Sequence, residues 1–187
     1  DVVLGLKDSF VYDHWGLLLC CAGIMGGMFA GVISDHLFQS RRGPVAAVLY
    51  GLMLVAAIAL VFLYDTPFVG PMVILMSMAV IGVHGMLSGT ASMDFGGKKN
   101  VGVAVGIIEG FVYLGTGVMS FTYGAILPKE EILDGKLVGP ATDPANWIAW
   151  PASMIPLALI GLLLATRVWN AKPKGKASSG GEEKKEG

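Results

Sequence analysis

Long apolar runs alternate with short polar segments along the chain. The runs cover residues 14–33, 44–64, 71–92, 101–126 and 147–169. Each is close to, or above, the roughly 20 residues that a helix needs to cross a bilayer. A soluble helix of this length would carry a broad polar face, and these runs mostly do not. The pattern therefore predicts an all-α integral membrane protein with about five transmembrane helices, set in a lipid bilayer.

Two runs carry polar positions at helical spacing. In the fourth, Gly102, Gly106, Glu109, Tyr113, Thr116 and Ser120 share one side, and Val103, Ile107, Phe111, Leu114 and Val118 occupy the other. A carboxylate in hydrocarbon is costly, so Glu109 is expected to face protein or water inside the bundle. Gly102, Gly106 and Gly110 also form a small-xxx-small repeat, as do Gly23, Gly27 and Gly31 in the first run, which predicts close helix packing there. The third run holds Ser77, His84, Ser88 and Ser92. His84 either meets a substrate or carries a proton, or it is neutral and satisfied within the bundle.

Composition agrees with a membrane setting: 54% of residues are hydrophobic, 14% are charged and 27 are Gly. A net charge of −1 gives no basic excess for a nucleic acid, and none is expected as a partner. Cys20 and Cys21 are adjacent in an apolar run and read as packing residues, not a disulfide or a metal site. Nothing resembles a nucleophile triad, a metal cluster or a phosphate loop. No catalytic residue, metal or cofactor is expected, and the chain does not read as an enzyme.

Basic residues set the orientation. If the segment 34–43, the segment 93–100 and the C-terminus share a side, that side holds Arg41, Arg42, Lys98, Lys99, Arg167, Lys172, Lys174, Lys176, Lys184 and Lys185. The other side holds only Lys7, Lys129 and Lys136, so the first is expected in the cytoplasm. Trp15, Tyr64, Trp147, Trp150 and Trp169 then fall near helix ends, as an aromatic belt does. Residues 170–187 are expected to be a disordered cytoplasmic tail.

Gly31-Val-Ile-Ser-Asp35, followed by His36-Leu-Phe-Gln-Ser-Arg41-Arg42-Gly43-Pro44, resembles the cytoplasmic loop motif of the major facilitator superfamily, in the form of its organophosphate:phosphate antiporter branch. His36 departs from the basic residue usual after the Asp. A second block, from Met93 through Lys98, Lys99, Gly102 and Gly106 to Tyr113-Leu-Gly115, is similar to the tenth-to-eleventh helix region of that branch, with Gly97 where bacterial members tend to have Pro. The resemblance covers about residues 15–124 and implies the C-terminal half-bundle of a twelve-helix transporter built from inverted repeats. Residues 1–13 would then be the outer end of a truncated helix and its loop.

The same resemblance implies a secondary active transporter of small organic anions, exchanging organophosphate for phosphate by alternating access, in a bacterial inner membrane. Its partners would be a small anionic substrate, inorganic phosphate or protons, and the missing N-terminal half. Tyr113 matches a cavity-facing Tyr of the branch; with the polar positions of the third and fourth runs, Tyr113, Glu109, His84, Ser88 and Thr116 are the expected substrate-cavity residues. The branch's glycerol-phosphate and hexose-phosphate antiporters have no His at the place of His84, and the bacterial glycerol-phosphate member has Gly at the place of Glu109. Glu109 either pairs with an Arg of a missing helix or binds a proton. Asp35, Arg41, Arg42, Lys98 and Lys99 are the expected cytoplasmic gating loop, with Asp35 bonded to Arg41, Arg42 or a neighbouring helix end. Two other readings stay open: a transport-inactive sugar-phosphate sensor of the same fold, and a non-phosphate carrier of the superfamily.

Overall fold

The computed structural model describes residues 9–171, without the side chains of Phe95 and Lys98. A single helical turn, α1 (Phe10–Asp13), leads into α2 (Trp15–Leu37), α3 (Arg42–Leu63) and α4 (Val69–His84). A π-helical segment, Gly85–Ala91, carries α4 onward to α5 (Ser92–Ile126). A short hairpin follows, β1 (Glu131–Leu133) against β2 (Lys136–Val138), then two 3₁₀ turns and α6 (Ala149–Arg167). Five stretches are long and apolar enough to cross a membrane: Trp15–Leu37, Arg42–Leu63, Val69–Asp94, Lys99–Ile126 and Pro144–Arg167. They form a half-bundle of the expected all-α class.

Where the sequence suggested a loop over residues 93–100, the chain keeps helical hydrogen bonding and breaks only at Gly97, with φ 66°. A left-handed residue is cheap only for Gly, so this one position redirects the chain between the third and fourth spans. Elsewhere the helix ends are tied by the chain itself. Pro44 sits in the first turn of α3, where its missing N–H costs nothing. Asp134 and Gly135 both have positive φ and close the hairpin, as an Asp-Gly pair does in a two-residue loop. Residues 1–8 and 172–187, most of the expected leading segment and tail, lie outside the described residues.

Small residues hold the helices together. One core joins Ala30 of α2, Val45, Ala46, Ala47 and Leu49 of α3, Ala79 and Val83 of α4, and Ala165 of α6. A second joins Ala56, Ala57 and Leu60 to Val69 and Met76, with Trp150, Met154 and Ile155 of α6 against it. Lipid is as apolar as leucine, so association comes from close contact, which alanine and glycine permit. The closest crossing is Gly26 of α2 on α4, where a Cβ would run into the Met78 carbonyl; a Cβ on Gly82 would meet the Gly26 carbonyl at 2.9 Å. Gly161 of α6 lies in the same way under the Tyr50 ring. The predicted repeat in the first span behaves differently: Gly27 and Gly31 face open space, and Gly23 only approaches the Ile81 side chain. Gly102, Gly106 and Gly110 of the fourth span also face open space, and none of the apolar stretch of that span is buried.

Candidate functional site

The α2–α3 connection builds the most ordered polar cluster. Gln39 and Ser40 both take positive φ, 52° and 61°, which turns the chain back within four residues. Such conformations cost non-glycine residues about 1–3 kcal/mol each and persist where surrounding contacts demand them. Here the Ser40 amide donates to the Ser34 carbonyl at 2.8 Å, and the Ser40 hydroxyl donates to Asp35 Oδ1 at 2.9 Å. The turn delivers Arg42 to the bundle with its side chain only 10% exposed.

Arg42 reaches three acceptors. Its Nε donates to Asp94 Oδ2 at 2.9 Å, and its Nη1 donates to the buried Ser34 Oγ at 2.6 Å and to Asp35 Oδ1 at 3.2 Å. The guanidinium thus ties the first and second spans to the end of the third. A planar, multi-donor group suits this task, whereas an ammonium would act as a point charge. The C-terminal end of α6 closes over the same region: Gly43 lies against the Val168 carbonyl, and Phe38 meets the Trp169 ring edge-on at 6.1 Å. Of the expected gating residues, Asp35 and Arg42 meet here. Arg41 makes no ion pair among the described residues, Lys99 is exposed, and the Lys98 side chain lies outside the described residues.

The expected cavity residues are spread over two helices and only partly meet. His84 ends α4, and its Nε2 stands 3.4 Å from Glu109 Oε1 of α5. Ser88 turns back to its own helix, its hydroxyl donating to the His84 carbonyl at 2.7 Å. Ser92 does the same toward the Ser88 and Gly89 carbonyls. These hydroxyls occupy carbonyls along the widened π turn, a feature found often at functional sites. On α5 the Thr116 hydroxyl donates to the Val112 carbonyl at 2.9 Å, and Tyr113 is 72% exposed on the open face. Glu109 and Tyr113 share a stripe along the axis, but Glu109 faces His84 while Tyr113 faces away from the described bundle. Further out, the Tyr123 and Ser153 hydroxyls bond at 2.7 Å, joining α5 to α6. Among the described residues no group of His, Cys, Asp and Glu has the arrangement of a metal site.

Three residues of this polar framework escape a reading of the sequence. Asp94 is 52 positions from Arg42; its signal is an acid at the end of an apolar run, on the side where the arginines emerge. Tyr123 and Ser153 offer no such signal.

The chain is 29% identical over 165 residues to the glycerol-3-phosphate transporter of Bacillus subtilis (strain 168), covering 86% of this chain and 32% of the relative. It is 27% identical over 160 residues to the probable hexose phosphate transport protein of Chlamydia pneumoniae, covering 83% and 31%. These transporters are its homologues. The resemblance expected from the loop motif and the Tyr-Leu-Gly helix is borne out, and with five spans the chain is an integral membrane protein. It spans about a third of the length of the relatives it matches. No family model matches the chain, and no solved structure does.

Proposed function

We propose that this chain forms part of a secondary active transporter that exchanges organophosphate for inorganic phosphate by alternating access. Its homology to two phosphate-ester transporters supports the substrate class. The observation that carries the mechanism is Arg42, held almost out of solvent by Ser34, Asp35 and Asp94. A charged network between helix ends, on the side richest in Lys and Arg, is a contact that can form in one access state and break in the other. In this reading Asp35 and Arg42 close the cytoplasmic side, with Arg41, Lys98 and Lys99 in the same two connections between spans.

The substrate cavity lies along the exposed stripe of α5, where the Tyr113 hydroxyl donates to a phosphate oxygen, Thr116 lines the stripe with its own proton on the Val112 carbonyl, and Glu109, His84 and Ser88 line the inner wall. Binding energy there is shared between outward- and inward-open states, and no covalent step is needed. The test is uptake of labelled glycerol 3-phosphate and hexose 6-phosphate by the full-length protein in phosphate-loaded proteoliposomes. Uptake that requires internal phosphate is expected; ligand binding without flux would refute transport, and flux of neither ester would refute the substrate class.

A further inference from the structure

We propose that His84 and Glu109 form a single-proton binding site that latches the fourth span to the third. The geometry sets the fourth span apart from its neighbours. It leaves the third at Gly97, a left-handed pivot, and none of its apolar stretch from Lys99 onward is buried. Two cross-helix polar contacts hold it among the described residues: His84 with Glu109, and Tyr123 with Ser153. Between the first contact and the second span lies a cleft of about 170 Å3, lined by Tyr50, Met53, Leu87, Ile108 and Val112 among others.

Charge counting gives the pair its switch. With one proton shared, as imidazolium and carboxylate or as imidazole and carboxylic acid, the pair has no net charge and suits an apolar setting. With the proton gone, a carboxylate faces a neutral imidazole across 3.4 Å and the pair carries a full negative charge. A net charge beside this apolar cleft draws in water or swings toward it. Tyr50 is the other titratable group lining the cleft, and a phenol stays neutral across the range in which an imidazole and a carboxylic acid change charge. Asp94, Arg42 and Lys99 belong to the far, basic end of the helices, ten or more residues away along the chain. The π segment begins directly after His84, so a shift there is absorbed within Gly85–Ala91 instead of being passed down a rigid helix. The proton therefore holds the fourth span against the third; once it is lost, the Tyr123–Ser153 contact to α6 is the remaining cross-helix polar tie among the described residues, and the helix can tilt about Gly97.

Spin labels at Phe68→Cys, at the outer end of the third span, and Val118→Cys, in the outer part of the fourth, both exposed positions, test this in the full-length protein with Cys20 and Cys21 replaced by Ser. Val118 stands about 30 Å along the axis from Gly97, so a tilt of about 10° moves it by about 5 Å. In lipid nanodiscs the expected distance is short and narrowly distributed at about pH 5.5, and longer by several ångströms and broader at about pH 8.5. Glu109→Gln should remove the pH response. An unchanged distance in the labelled parent overturns the latch without any further variant, and so does a pH response that survives Glu109→Gln. The measurement needs no solute, so failure of the exchange reading would show separately, in uptake.

Discussion

At the scale of single residues, Arg42 is the position where substitution should tell most. Its guanidinium serves two carboxylates and a buried hydroxyl from the ends of two other spans, and a lysine cannot reach them all. A hydrogen bond to a charged group is worth about 1.5–3 kcal/mol, so Arg42→Lys should destabilise the bundle by at least one such bond, read as a lower unfolding temperature in detergent. Asp35→Asn should behave differently. Its side chain is 57% exposed, and exposed ion pairs contribute about 1 kcal/mol or less. Expression and melting should stay near wild type while the exchange rate falls; normal exchange would reduce the loop to a topology signal. Tyr113→Phe removes one donor from the open stripe and should weaken apparent affinity for a phosphate ester by about ten- to hundredfold, measured in competition uptake. Asp35 and Arg42 were legible because they stand in a recognisable spacing beside a short loop. Asp94 was not, because its partner is distant in the chain and adjacent only after three helices pack.

At the scale of elements, the helices were readable and their contacts were not. The small-xxx-small repeat of the first span pointed to Gly23, Gly27 and Gly31, yet the close crossing uses Gly26 against Met78 and Gly82. Spacing shows which residues share a face; the packing partner decides which face is used. Gly26→Ala should therefore push α2 away from α4, at the roughly 1–3 kcal/mol typical of overpacking. Gly23→Ala should be tolerated, since its Cβ would meet only the flexible Ile81 side chain at 3.5 Å. Thermal unfolding of the two variants side by side checks this, and equal losses would refute it. The hairpin carried a readable signal in Asp134-Gly135. The π segment did not, because its apolar and hydroxyl pattern is also that of an ordinary helix.

At the scale of the whole molecule, the five spans alternate so that the 34–42 turn, the Gly97 break and the end of α6 lie together, and the hairpin lies at the opposite end. By sequence, ten of the thirteen Lys and Arg residues fall in these segments or in the chain that follows α6, and that side should be cytoplasmic. In a Cys-free background of the full-length protein, a cysteine at Ile132 on the exposed hairpin should react with an impermeant reagent outside intact cells. A cysteine at Ser40 should react only after permeabilisation. Labelling of Ser40 from outside would invert the topology.

Run length and apolar content by themselves determined that this protein crosses a membrane about five times, because a backbone in hydrocarbon must satisfy its own hydrogen bonds and a helix of some 20 residues does so. Local spacing also marked Asp35, Arg42, Glu109 and Tyr113 as polar positions with a purpose. Only the tertiary structure decided how they combine: Arg42 with Asp94, Glu109 with His84, and Tyr113 on the open side of the same stripe. A side chain's partners in a bundle depend on helix rotation and crossing, which long-range packing sets and local periodicity does not encode.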